Sequence, residues 1–241
     1  MGQGDWLELE GKLETTSIKR GVRYGTGGFT PPNGGAAFVF GYNSRAVATG
    51  AHGMYVALDG FIPTSGGGIV RGAVKRVASG GNTGFSPFLF FCCQGATAPS
   101  VNDTAYLLGL SDADPYEIVL AKGPILAGLV ESATEVKFLA RSTSQYSIGD
   151  GLWHHLQLEV ICQPNGDVKL VAKANDPAVH EVTAPVWEAI PGLSDVVDDC
   201  LDVETGSDPL IGGYAGWAFA LAGQVNRRAA FDAIQALRVP E

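Results

Sequence analysis

Residues 153–173, Trp153-His-His-Leu-Gln-Leu-Glu-Val-Ile-Cys-Gln-Pro-Asn-Gly-Asp-Val-Lys-Leu-Val-Ala-Lys173, decide the fold. Leu156, Leu158, Val160 and Cys162 alternate with His155, Gln157 and Glu159, and Val168, Leu170 and Ala172 alternate with Lys169 and Lys173. A period of two is the mark of strands with one buried face. Between the two runs, Pro164-Asn165-Gly166 closes a hairpin. A three-residue loop sets Cys162 against Val168, Val160 against Leu170 and Leu158 against Ala172, apolar on apolar. A two-residue Asn-Gly loop would set Cys162 against Lys169 and mix the faces. The longer loop, with Gly166 in the left-handed conformation, is therefore expected. It leaves Glu159 diagonal to Lys169 and Lys173 on the wet face.

The rest of the chain has the same character. Alternating or apolar runs at 6–13, 36–42, 52–59, 68–78, 87–93, 104–110, 116–121, 135–140, 180–186 and 210–220 are separated by glycine-rich punctuation such as Gly66-Gly-Gly and Ser79-Gly-Gly-Asn-Thr-Gly. Short strands divided by such turns predict a sandwich or barrel rather than a βαβ fold. Helical signals are few. Val186-Trp-Glu-Ala-Ile reads as a short turn, and 227–238 is ambiguous, because Phe231, Ile234 and Leu237 have helical spacing. Without a linker or internal repeat, residues 1–241 are expected to form a single domain. An N-terminal arm, about residues 1–25 and bearing Trp6, is expected to be held by a neighbouring element or subunit.

With 33 Gly and 13 Pro in 241 residues the chain is rich in turns, and its 46% hydrophobic content is ample for a core. Only 17% of residues are charged, which suits a surface partly hidden against partners. A net charge of −9 argues against nucleic-acid binding, which needs a basic stripe. Arg71, Lys75 and Arg76, like Arg227 and Arg228, read as solvated strand faces. The start Met-Gly-Gln-Gly-Asp-Trp has neither basic nor apolar signal regions, so no export signal is expected. No run reaches the ~18 apolar residues of a membrane span. The adjacent Cys92 and Cys93 should face opposite ways and Cys162 belongs to an apolar face. Four free thiols in a reduced, cytoplasmically folded chain are expected.

Candidate sites are sparse. Trp153-His154-His155 suggests metal or catalytic chemistry, but neighbours in a strand face opposite sides and His52 and His180 are isolated. The acidic stretch 194–208 could offer oxygens to Ca²⁺, yet it lacks the spacing of a known calcium loop and reads as a solvated loop or partner contact. No glycine cluster matches a phosphate-binding fingerprint, and no Gly-x-Ser-x-Gly elbow occurs. No catalytic residue, metal ligand or cofactor is expected.

Trp153-His-His-Leu-Gln-Leu-Glu-Val with Asn165-Gly-Asp-Val-Lys-Leu resembles the central hairpin of concanavalin A-like and laminin-G-like jelly rolls. Gly212-Gly-Tyr-Ala-Gly-Trp-Ala-Phe-Ala and Arg228-Ala-Ala-Phe-Asp-Ala-Ile resemble that family's C-terminal strand pair. The resemblance spans roughly residues 150–238 and implies an all-β, antiparallel two-sheet jelly roll, with 229–237 as a strand. The glucanases of the family carry Glu-x-Asp-x-x-Glu, which is absent here, since Glu8-Leu-Glu10 has Leu13 and Glu14 at the wrong offsets. Phe38-Val-Phe-Gly-Tyr-Asn, Ile69-Val-Arg-Gly-Ala-Val-Lys-Arg and Gly84-Phe-Ser-Pro-Phe-Leu-Phe look similar to structural proteins of tailed-bacteriophage virions. That second resemblance implies a non-enzymatic capsid-decorating, collar or tail component located in the virion, with other virion proteins as partners and homo-oligomerisation. The alternative is a module for host-surface glycans, with Tyr214 or Trp217 as a stacking platform. Burial of both rings in the core is the competing expectation. A glycoside hydrolase ranks below both.

Overall fold

A computed structural model of the chain describes residues 6–8, 11–12, 21–24, 37–41, 50–57, 67–78, 85–94, 102–111, 117–125, 127–129, 133–143, 153–175, 186–199, 209–210, 213–221 and 227–239. Every regular element among them is a strand: β1 (Trp6–Glu8), β2 (Gly11–Lys12), β3 (Gly21–Tyr24), β4 (Ala37–Gly41), β5 (Gly50–Ala57), β6 (Gly67–Ala78), β7 (Phe85–Cys93), β8 (Thr104–Leu110), β9 (Ile118–Pro124), β10 (Lys137–Arg141), β11 (Trp153–Cys162), β12 (Val168–Asn175), β13 (Trp187–Ala189), β14 (Val196–Asp198), β15 (Tyr214–Leu221) and β16 (Arg227–Val239). One sheet runs β13-β12-β11-β6-β16-β4-β3, with β14 on β12 and β1 on β16. The other runs β10-β9-β8-β7-β15-β5-β2. All pairings are antiparallel, and the chain is an all-β two-sheet jelly-roll sandwich.

The β11–β12 hairpin has the expected register: Cys162 opposite Val168, Val160 opposite Leu170 and Leu158 opposite Ala172. Gln163 N–H donates to the Asp167 carbonyl at 2.8 Å and Gly166 has φ 96°, which closes the three-residue loop. Leu156, Leu158, Val160, Val168 and Leu170 are fully buried. They pack between the sheets with Val70, Leu89, Phe91, Leu108, Leu120 and Trp217. On the opposite face Lys173 pairs with Glu159 at 2.5 Å, while Lys169 pairs instead with Asp195.

A second apolar layer covers the other face of β7, β8, β9 and the described part of β15. Phe88, Phe90, Leu107, Val119, Ala121, Tyr214 and Ala218 form one cluster with Ile125, Leu129 and Val136, which lie between the neighbouring strands β9 and β10 in the chain. Both faces of β7, β8 and β9 are therefore buried, which is why Phe88-Leu-Phe-Phe and Ala105-Tyr-Leu-Leu are unbroken apolar runs rather than alternating ones. Cys92 adopts φ 54° and lies in the inter-sheet cluster beside Phe91, whereas Cys93 lies in the outer cluster. The register of β7 against β15 shifts here, the extra residue of a bulge. Cys92, Cys93 and Cys162 are buried and form no disulfide.

Several expectations need correction. The run 6–13 is not one strand: β1 pairs with β16 in one sheet and β2 with β5 in the other, so its leucine alternation does not define a single face. Residues 187–189 form an edge strand on Lys173–Asn175 rather than a turn, because β12 extends far enough to pair with it. The strand expected at 180–186 lies outside the described residues, apart from Val186, which is not in a strand. Strands β3 and β14 are too short for alternation to predict them. Residues 227–239 are a strand, β16, despite the helical spacing of Phe231, Ile234 and Leu237, and its ladder on β6 is interrupted once. Asp232 and Gln235 pair with Ala73 and Arg71, so three steps on β16 match two on β6. Of the N-terminal arm, the described pieces β1, β2 and β3 pair with strands of this same chain.

Candidate functional site

Tyr214 and Trp217 lie on β15, a central strand flanked by β7 and β5. Alternation sends Trp217 inward with Ala215, and its ring is only 2% exposed in the inter-sheet core. Tyr214, 6% exposed, joins Ala218 in the outer apolar cluster. Neither ring offers a sugar an open face, so the platform expectation is corrected in favour of core packing. Both positions follow from strand parity.

The adjacent histidines of β11 separate as alternation requires. His154 is opposite Val74 on the inward face and His155 opposite Ala73 on the outward face. His155 meets the edge of Trp187 at 6.4 Å between centroids, and the Arg71 guanidinium lies 5.9 Å from the Trp187 ring centre. Burial lowers the Arg71 pKa from its ordinary value. Further along the face, Gln157 Nε2 donates to Glu159 Oε1 at 2.8 Å, and Lys173 Nζ donates to the same oxygen. An aromatic ring, a guanidinium and a carboxylate thus occupy one outward face of β6, β11, β12 and β13. The sequence does not single out Trp187 because its stretch reads as a turn, and its place beside His155 follows from the pairing of β13 on β12 and of β12 on β11.

The most constrained polar group lies inside the sandwich. On β9, Ile118 and Leu120 point into the inter-sheet core, and Lys122 continues the same parity with its side chain 1% exposed. On β14, Asp198 is opposite Val168 and equally hidden, its side chain 0% exposed. Lys122 Nζ donates to Asp198 Oδ2 at 2.8 Å. Tyr106 Oη donates to that oxygen at 2.7 Å and accepts from the Leu210 N–H at 2.9 Å. Asp198 Oδ1 accepts no hydrogen bond among the described residues. Burial first, then the charge and hydrogen bond of Asp198, push the Tyr106 phenol far above its ordinary value. Because β9 and β14 belong to different sheets, the ion pair bridges the sandwich.

This arrangement corrects the reading of 194–208 as solvated throughout. Asp198 is 1% exposed, and Asp195 pairs with Lys169 at the surface. Lysines answer both carboxylates. Among the described residues no three His, Cys, Asp or Glu side chains converge as metal ligands would. No described helix is long and apolar enough to cross a membrane.

In sequence, no family model and no curated protein matches this chain. Among solved structures it is similar to the VIP36 exoplasmic/lumenal domain in a Ca²⁺/Man3GlcNAc-bound form, at 11% identity and TM-score 0.49 over 98% of this chain and 86% of that one. It is similar to a legume lectin-like domain from Entamoeba histolytica at 6% identity and TM-score 0.47, over 85% and 84% of the two chains. A Bacillus licheniformis β-glucanase shows 12% identity and TM-score 0.46 over 99% and 94%.

Proposed function

We propose that this chain is a non-enzymatic structural component of a bacteriophage virion, built on a two-sheet sandwich and working through contacts with copies of itself and with other virion proteins. The observation that carries the reading is the apolar layer over the seven-stranded sheet. Phe88, Phe90, Leu107 and Val119 fill the outer face under Ile125, Leu129 and Val136. A polysaccharide-cleaving sandwich needs an open polar face with paired carboxylates, and here the described part of that face is packed shut. Low charge, buried cysteines that form no disulfide among the described residues, and the virion-like N-terminal stretches support the same role. Its place is in the particle, after folding in the host cytoplasm.

A second reading, a host-glycan module, is favoured by Trp187 with Arg71 and His155 on the outward face of the other sheet. Light scattering on the chromatographed full-length chain, followed by a glycan array, separates the two. A defined oligomer that binds no sugar supports the building block. A strict monomer binding one sugar class, with binding lost in Trp187→Ala, overturns it.

A further inference from the structure

We propose that Lys122 and Asp198 are the two halves of a self-forming amide crosslink that covalently staples the two sheets of the sandwich.

The observation is a primary amine and a carboxylate held 2.8 Å apart with side chains 1% and 0% exposed. Tyr106 stands opposite Lys122 and Val168 opposite Asp198, and both Tyr106 and Val168 belong to the apolar inter-sheet core. Two opposite charges in an apolar interior lose their hydration, and mutual attraction repays that loss only when the remaining lone pairs are satisfied. They are not: Asp198 Oδ1 accepts no hydrogen bond among the described residues. Converting the pair to an amide removes both charges from the interior and releases a water to bulk. The same fixed geometry makes the reaction effectively intramolecular, with the entropy of bringing the groups together already spent by folding.

The atoms balance without any co-reactant. One ammonium proton crosses the hydrogen bond to Asp198 Oδ2, leaving a neutral amine and a neutral acid. The Lys122 Nζ lone pair attacks Asp198 Cγ and forms the N–C bond. A second proton passes from Nζ to Oδ2, the Cγ–Oδ2 bond breaks with its electron pair staying on oxygen, and water departs. Oδ1 remains as the amide carbonyl oxygen and the third proton remains on nitrogen. Tyr106 is placed to assist, because its hydroxyl already donates to the departing Oδ2 and is fixed from behind by the Leu210 N–H. A phenol with a raised pKa keeps its proton for that hydrogen bond. The linked residues are 76 positions apart, and the described cysteines form no disulfide. The amide would therefore do what an inter-sheet disulfide does in other sandwiches.

The test is the intact mass of the folded full-length chain, denatured and reduced after incubation at neutral pH. The expected species is lighter than the sequence mass by one water. Tryptic mapping should show no cleavage after Lys122 and one branched peptide containing residues 122 and 198. Lys122→Arg keeps the cation but cannot form the bond, and should restore the full mass. Asp198→Asn should converge on the same final mass as the linked wild type, because ammonia leaves in place of water. A folded wild-type chain at full sequence mass overturns the proposal. So does a water loss that maps elsewhere, such as Asp150-Gly151, or one that persists in Lys122→Arg. The decisive measurement is made on the unmutated chain, so its outcome stands even where a variant fails to fold.

Discussion

Replacing Leu158 by alanine tests the packing of the central hairpin and its register together. Leu158 is fully buried on β11, an interior strand, with Ala172 and Val70 as its cross-strand partners. Leucine-to-alanine changes in cores cost about 2–5 kcal/mol, and the value rises with the volume of cavity that neighbours fail to fill. Here one partner is itself an alanine and both are held by ladders on a twisted sheet, so little can lean into the gap. The expected loss is about 3–4 kcal/mol. Ile161, three residues on, points to the opposite face and is 38% exposed. Its replacement by alanine should stay within about 0.5 kcal/mol, as surface changes usually do. Urea denaturation of the two variants against the parent, with an unchanged slope, measures both. A slip of one residue would exchange the two faces. If Leu158→Ala cost less than Ile161→Ala, or less than about 1 kcal/mol, the register and the core assignment would both be refuted.

Tyr106→Phe should cost about 1–3 kcal/mol, because it strips a donor from buried Asp198 and an acceptor from the Leu210 N–H; near-parental stability would refute the buried network. Since the folded phenol is pushed above its ordinary 10.0, the unfolded chain releases that proton first as pH rises. The Tyr106 contribution should be intact below about pH 10 and fade above it, and the fade should vanish in Tyr106→Phe when urea midpoints are compared. Thiol titration in denaturant without reductant should count four free cysteines. In the folded chain Cys162 should alkylate slowly at neutral pH and faster on alkalinisation, because burial raises its pKa and the thiolate is the nucleophile. Gly213→Ala should destabilise by about 1–3 kcal/mol through backbone strain alone, since Gly213 has φ 75° and an added Cβ would also collide with the Cys93 carbonyl oxygen.

The hairpin was legible because each of its strands carries lysines or glutamate on one face and aliphatic residues on the other. Only one loop length keeps those faces apart. Strand β14 was illegible for the opposite reason. Val196-Val-Asp stands among acidic residues, and the lysine that neutralises Asp198 is 76 positions away, so no local pattern marks that carboxylate as buried. Trp187 was hidden by its brevity: three residues of edge strand are too few for a period to show. Tyr214 and Trp217 illustrate a third limit. Their alternation fixes that they face opposite ways, but not that each side is covered, because Tyr214 shares its cluster with Ile125, Leu129 and Val136, which lie outside the strands. Where a strand is buried on both faces, aromatic content alone cannot tell core from binding surface.

That covering layer also has a consequence for how the molecule is made. Strands β7, β8 and β9 are laid down before the segment carrying Ile125, Leu129 and Val136, and until it docks Phe88, Phe90, Leu107 and Val119 face water as a contiguous greasy sheet. A partially folded chain with the cap undocked is an aggregation hazard that the finished protein conceals. Substitutions in the cap should therefore betray themselves first in the yield of soluble chain and in chaperone dependence.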